Sequence, residues 1–335
     1  TWSRTATYGY PTFDGANTTT ITDADPTDQT AALIVTGPVT SATVIDGFFF
    51  QGPSGNSAGG GVSFGIHGLG SAAPVFSNDQ VEGGAGQGGT VGIGSHGVFV
   101  EGASAPEIEQ SIIYGGTGVG TEGSVGVYLD TTGAVKLHDS IVSGGTGTTT
   151  LTGSGGLSSV GIVVRASLAS SMPLSSLLVS ATGGQGTAGS AAGVYVDGAG
   201  VSAGIANSVI VGGFSATQDS YSAGVLVNAS GGTVDIVDDR IYGGACSGAA
   251  SQTYGVLVRA AGALLVGNVM VHAGTVANAA GSYTVGVDLS SVVAPAVVDA
   301  TIYTGSAAGT AIALNPGVTS AALTDDILFG GDSAL

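Results

Sequence analysis

The densest set of groups that could move protons is Asp238, Asp239 and Arg240, with His272 one repeat further on. A second carboxylate pair stands at Asp325 and Asp326. Carboxylates converging on one groove, or a cation cluster beside a basic proton acceptor, are what cleavage of a polysaccharide needs. Both pairs, however, fall in a column of polar residues that recurs at turns, where Asp and Asn side chains ordinarily satisfy backbone groups. No catalytic residue is assigned on this basis, and the chain is expected not to be an enzyme.

Asp23, Asp25 and Asp28, in DADPTD, could offer oxygens to Ca²⁺. Calcium takes six to eight oxygen ligands, so three carboxylates fall short, and a polar Asp/Pro turn explains them as well. Ca²⁺ is the one cofactor these residues allow; no other is expected. The loop GGAGQGGTVG at 83–92 lacks the aspartate of calcium-binding nonapeptide repeats and the Gly-Lys of a phosphate-binding loop. Cys246 is the only cysteine, which excludes an internal disulfide framework. Glu101, Asp130, Arg165, Asp197, Asn228 and Arg259 form a charged column in which opposite signs on adjacent repeats offset one another.

What would position these groups is a repeat. GVYVDGAGVSAGIANSVIVGG, GVLVNASGGTVDIVDDRIYGG and GVLVRAAGALLVGNVMVHAG follow one another, and Val194, Val225, Val256 and Val287 fall 31 residues apart. A unit of that length cannot bury its own apolar face and must stack on its neighbours. Each repeat reads as a first alternating strand opening on Gly-Val, a turn, and a second short alternating run. A polar column follows, running Asp46, Asn78, Gln110, Asp139, Ser176, Asn207, Asp238, Asn268, Asp299 and Asp325. Three residues on, an apolar column marks a third strand: Phe49, Val81, Ile113, Val142, Val179, Ile210, Ile241, Val271, Ile302 and Leu328. Glycine pairs usually close that strand, and a variable loop leads to the next Gly-Val. The pattern predicts an all-β chain: a single parallel β-helix (β-solenoid) of about ten coils of ~31 residues, three short strands per coil, about 50 Å long. Residues 31–335 form this domain, with 1–30 as an N-terminal edge segment.

The unit VIDGFFFQG…GV.V…NSVIVGG, repeated along nearly the whole chain, resembles the bacterial secreted and surface right-handed parallel β-helix repeat proteins. The resemblance implies a right-handed coil. It leaves function open, because that family includes adhesins, surface structural proteins and polysaccharide-degrading enzymes. The G-H-G and R-I-K patterns of its polygalacturonase-like members are absent, and His67–Gly68 and His96–Gly97 stand alone.

Composition narrows the partners. The net charge is −18, from 23 acidic residues against five basic ones. A phosphate backbone is held by clustered Lys and Arg, so nucleic acid is not expected as a partner. No apolar run reaches the roughly 18–20 residues that span a bilayer. Glycine is abundant (62) without a triplet period and prolines are few (9), which excludes collagen. A mean hydropathy of +0.45 is too high for disorder. Low lysine and high Gly, Ser, Thr and Ala suggest an extracellular or cell-surface location.

Alternation also assigns residues to the outside of the coil. On the first strand these include Phe99, Tyr128, Tyr195, Leu226 and Leu257; on the third, Phe50, Tyr114, Tyr242, Tyr303 and Phe329. Two continuous apolar stripes on a soluble solenoid would mark an interaction surface. The leading expectation is therefore a structural protein that self-assembles into a filament, sheath or surface layer, with other copies of itself as partners. The alternative is a surface adhesin or glycan-binding β-helix that stacks sugar rings on those tyrosines. Long loops folding back over the stripes would remove the argument for both.

Overall fold

The computed structural model describes residues 2–4, 11–13, 19–22, 31–53, 63–87, 94–119, 123–147, 157–168, 173–181, 183–184, 189–277, 281–305, 309–314 and 321–329. Every regular element among them is a β-strand. Among the described residues all pairings between coils are parallel, and one antiparallel pair joins Trp2–Arg4 to Pro11–Phe13. The chain is a single parallel β-solenoid.

First and second strands of successive coils merge into an 18-stranded sheet, and third strands stack into an 11-stranded one. A seven-stranded sheet was not foreseen. It is built from a fourth strand of two or three residues that follows the glycine pair, as at Thr117–Val119 and Ala245–Cys246. Among the described residues seven coils carry this fourth strand, where three strands per coil were expected. Thr19–Thr22 pairs with Phe48–Gln51, so the third-strand sheet takes in part of the 1–30 segment.

The glycine of Gly-Val is a point of close approach inside the first strand. Pairing runs His96↔Val125 and then Val98↔Val127, leaving Gly97 and Gly126 out of the ladder. At Gly255 an added Cβ would sit 2.1 Å from Val271 Cγ1 and 2.6 Å from the Gly286 carbonyl oxygen. Only hydrogen fits between the first strand and the third strand.

The polar column is a left-handed turn. Asn78, Gln110, Asp139, Ser176, Asn207, Asp238, Asn268, Asp299 and Asp325 all have φ between 49° and 62°. Asn and Asp tolerate that region better than other L-residues. The first member is corrected by one residue: Asp46 aligns with Ser77, and Gly47 (φ 78°) takes the left-handed place. The next strand shifts with it. Phe50, not Phe49, aligns with Val81 and is buried, so Phe50 belongs to the core and not to an outer stripe. At exposed Asn207, replacement by valine should cost about 1–2 kcal/mol because a β-branched side chain clashes in the left-handed region. Asn207→Gly should change stability by a few tenths at most; denaturant midpoints of the two variants test this.

Immediately after that turn runs an internal hydrogen-bond ladder. Side chains at this position accept a hydrogen bond from the backbone N–H one coil earlier. Asp79 N–H donates to Ser111 Oγ (3.2 Å), Ser111 N–H to Ser140 Oγ (3.1 Å) and Ser208 N–H to Asp239 Oδ1 (2.6 Å). Phe48 N–H likewise reaches Asp79 Oδ1 at 2.8 Å, and Ala300 N–H reaches Asp326 Oδ1 at 2.8 Å. A buried N–H left without such a partner costs about 1–3 kcal/mol.

Two apolar cores result. The main one runs down the coil axis and holds the predicted third-strand column from Val81 to Ile302. The second overturns half of the expected stripe. Phe99, Tyr128, Tyr195, Leu226 and Leu257 do face away from the coil axis, but they are 0–7% exposed and pack together with Phe64, Val160, Tyr221 and Tyr254. The solenoid's own chain covers them, so they offer no surface to another molecule. Alternation gives two faces to a strand without saying that both are buried. His96 belongs to this core. Its ring stacks at 5.6 Å on Phe64 and 5.1 Å on Tyr128, and burial pushes its pKa down to about 3, so it is a neutral aromatic filler.

Candidate functional site

The exposed half of the expected stripe lies on the outer face of the third-strand sheet. There the chain places one residue per coil in strict register. The column opens polar with Thr22, Gln51 and Glu82, and reaches Tyr114. It then passes the small Ser143 and Ser180, and Val211. Its far end is aromatic: Tyr242, His272, Tyr303 and Phe329. Tyr114 is thus cut off from the other rings, and the stripe is not continuous.

The aromatic end is a ladder along the coil axis. Ring centroids are 6.1 Å apart from Tyr242 to His272, 4.9 Å from His272 to Tyr303 and 6.4 Å from Tyr303 to Phe329. Neighbouring rings tilt by 30–68°, so the ladder is a twisted row, not a flat stack. Tyr242, Tyr303 and Phe329 are 36%, 48% and 52% exposed, and Met270 beside them 49%. Together with Thr301 and Val271 they line an apolar cleft of about 460 Å³. The inward partners Ile241, Val271 and Ile302 anchor each strand in the main core, which fixes the outward rings.

His272 Nδ1 accepts a hydrogen bond from the Gly274 N–H at 2.9 Å. The neutral ring then carries its proton on Nε2. Burial holds the His272 pKa below the usual imidazole value, so the ladder is uncharged at neutral pH. The polar end of the same face forms a second cleft of about 590 Å³, lined by Thr22, Gln51, Glu82, Tyr114, Thr117 and Thr146 between glycine backbones.

The other candidate residues do not converge. Asp239 turns inward at 2% exposure to hold Ser208 N–H, while Asp238 stays at the surface and accepts from Asn268 Nδ2 at 2.5 Å. Arg240 sits on the outer face beside Met270, apart from both carboxylate roles. The charged column does form pairs: Arg165 Nε lies 3.2 Å from Asp197 Oδ2, and Asn228 Nδ2 donates to Asp197 Oδ1 at 2.9 Å. Asp23, Asp25 and Asp28 lie outside the described residues. Met270 and His272 were missed as members of the ladder; aligning the strand register from Tyr242 to Tyr303 would have found both.

No family model matches the chain, and no curated protein matches it. Among solved structures, the Dettilon tailspike protein gp208 is similar at 13% identity over 92% of this chain, with a TM-score of 0.36. The A-module of the Azotobacter vinelandii mannuronan C-5 epimerase AlgE4 is similar at 15% identity over 94% of this chain and 85% of its own, with a TM-score of 0.32. The tailspike protein of E. coli bacteriophage HK620 is similar at 13% identity over 84% of this chain, with a TM-score of 0.35. The chain spans 60% of the length of the first tailspike and 54% of the second. These are likenesses of coil architecture at low identity. One expectation is nevertheless corrected. An epimerase stands among these structures, so the statement that the chain is not an enzyme has no support from its architecture. No helix among the described residues is long and apolar enough to cross a membrane.

Proposed function

We propose that this protein is an extracellular or cell-surface β-solenoid that binds a carbohydrate chain along the ladder Tyr242–His272–Tyr303–Phe329. The observation that carries this reading is a row of exposed, uncharged rings at one per coil, running along the axis of a rigid sheet. Successive rings are about one sugar unit apart, so a linear oligosaccharide laid along the axis meets an aromatic at each step. Tyrosine suits this because it presents an apolar face and a hydroxyl together. The His272 Nε2–H and the Thr301 hydroxyl add donors for sugar oxygens. With a net charge of −18, the chain favours neutral over acidic glycans.

Titration calorimetry with neutral oligosaccharides of increasing length tests the reading. Affinity should rise with length until the ladder is filled. Tyr303→Ala should weaken binding about tenfold, equivalent to about 1.4 kcal/mol. Absence of binding across a panel of neutral glycans, or unchanged binding by both Tyr242→Ala and Tyr303→Ala, would refute it.

The same face carries a second reading, self-association, because Met270 and Ile327 are also exposed (49% and 55%) and burying such side chains is favourable. The patch spans a few coils at one end of the sheet, so it supports a local contact and not lateral packing along the whole rod. Sedimentation would favour this reading if it found an oligomer that Tyr303→Ala dissolves.

A further inference from the structure

A separate constellation lies on the second-strand face. Glu107–Glu109 and Lys136–His138 pair in parallel, so Glu107 lies beside Lys136 and Glu109 beside His138. Ile108 and Leu137 between them are buried in the main core, and alternation turns the four polar side chains outward. One ligand atom from each of Glu107, Glu109 and His138 lies within 4.8 Å of the others. His138 Nε2 is 3.1 Å from Glu107 Oε1 and 4.0 Å from Glu109 Oε2. On the other side of the ring, His138 Nδ1 is 3.2 Å from Asp139 Oδ2. Lys136 Nζ is 3.0 Å from Glu107 Oε2.

We propose that Glu107, Glu109 and His138 form a binding site for a divalent transition-metal ion of the zinc class. Zinc bonds to imidazole nitrogen and carboxylate oxygen at about 2.0–2.2 Å, which puts tetrahedral donor atoms about 3.3 Å apart. The His138–Glu107 separation already meets that spacing. Glu109 closes the remaining gap by a small swing of a half-buried side chain. Asp139 supplies the partner that a metal-binding histidine needs: a carboxylate on Nδ1–H fixes the tautomer and turns the Nε2 lone pair toward the other ligands.

Charge agrees with geometry. Without an ion, and against the pull of burial, Asp139 and Glu107 hold the His138 pKa above its usual value, so metal binding displaces a proton from the ring. With His138 neutral, the carboxylates of Glu107, Glu109 and Asp139 against the Lys136 ammonium leave two negative charges, which a divalent cation balances. The imidazole sets the class of metal. Calcium takes oxygen ligands in sixes to eights, whereas one nitrogen and two carboxylates suit zinc, cobalt or nickel. Three protein donors leave a fourth position for water or a ligand atom. The site depends on two coils being in register and is independent of the aromatic ladder.

Titration of the full chain with ZnCl₂, and with CoCl₂ followed by visible absorption, tests the site. Saturable binding of one ion per chain is expected, with CaCl₂ failing to compete. His138→Ala and Glu109→Gln should each weaken zinc binding at least tenfold. Asp139→Asn retains a residue suited to the left-handed backbone, and it should weaken binding about 10–100-fold while leaving the metal-free melting temperature unchanged. His67→Ala removes the other histidine–carboxylate pair, with Glu101, and should leave zinc binding as it was. The proposal fails if zinc does not bind saturably, if calcium competes equally, or if His138→Ala and Glu109→Gln bind zinc as the unaltered chain does.

Discussion

Gly255→Val is expected to destabilise the solenoid by more than about 3 kcal/mol, beyond the usual range for overpacking. The new Cβ alone would lie 2.1 Å from Val271 Cγ1 and 2.6 Å from a backbone oxygen of the next coil, and two further methyl groups have nowhere to go. The side chain of Val271 cannot retreat, because it fills the main core at 0% exposure. Equivalent approaches recur at Gly126, Gly193, Gly224 and Gly286, with nearest side-chain carbons at 2.2–2.6 Å, so the restriction belongs to this position of the repeat and not to one coil. Gly267→Ala is the contrast. Its nearest neighbour would be Leu265 Cδ1 at an ordinary 3.8 Å, and stability should stay within about 0.5 kcal/mol of the parent. Because each coil touches only its neighbours, the damage at Gly255 should be local. Urea unfolding gives the size of the loss, and hydrogen exchange should show it concentrated in the coils carrying Val256, Val271 and Val287. A Gly255→Val protein as stable as the parent would mean that the third strand does not press on the first at that glycine.

The regularity of the coils sets how far the sequence could be read. The columns from Val81 to Ile302 were legible because the backbone repeats its environment every coil and the loops absorb the length changes. The Asp46 slip arose because Asp-Gly offers two residues able to take a left-handed turn, and spacing alone chose the wrong one. The fourth strand was invisible for a physical reason. Strands of two or three residues such as Gly183–Gly184 or Thr146–Gly147 have no room to show alternation. The fate of Tyr128 and Tyr195 was hidden more deeply. Their alternation with Val127 and Val194 places them on the far side of the strand, but only tertiary packing decides whether that side meets water or a second core. Of the candidate ladder, Tyr242, Tyr303 and Phe329 were found as outward aromatics. The set Glu107, Glu109 and His138 went unnoticed because His138 lies 29 to 31 residues from the two glutamates in the chain. Since Gln110 and Asp139 were already aligned as one column, the residues just before them, Glu109 and His138, follow as neighbours.

The internal ladder leads to the other large effect. Asp239 and Asp79 are buried carboxyls, and burial pushes their pKa values up to about 7 and about 8 from 3.8, more than the backbone donors at Ser208 and Phe48 pull them down. Between pH 4 and those values the folded chain keeps protons that the unfolded chain has lost, so stability must fall as pH rises. The contribution is complete below about pH 4 and is gone once pH has passed about 7 for Asp239 and about 8 for Asp79. A shift of this size in Asp239 alone corresponds to something on the order of 4 kcal/mol. The structure also supplies the remedy. Ser208 and Ser140 occupy the same column, where each hydroxyl accepts the N–H from the coil before and donates to the carbonyl two residues back, at 2.8 Å in both cases. Asp239→Ser should therefore keep the hydrogen bond to Ser208, remove one buried ionisation, and make stability fall less steeply between pH 4 and 7, with the Asp79 share of the slope remaining. Asp239→Ala removes the ionisation too, but strands the Ser208 N–H and should cost about 1–3 kcal/mol at acidic pH, where the parent carboxyl is neutral. Urea midpoints of the three proteins at pH 5 and pH 8 separate these effects. A serine variant whose stability falls with pH as steeply as the parent's would show that Asp239 does not keep its proton inside the coil.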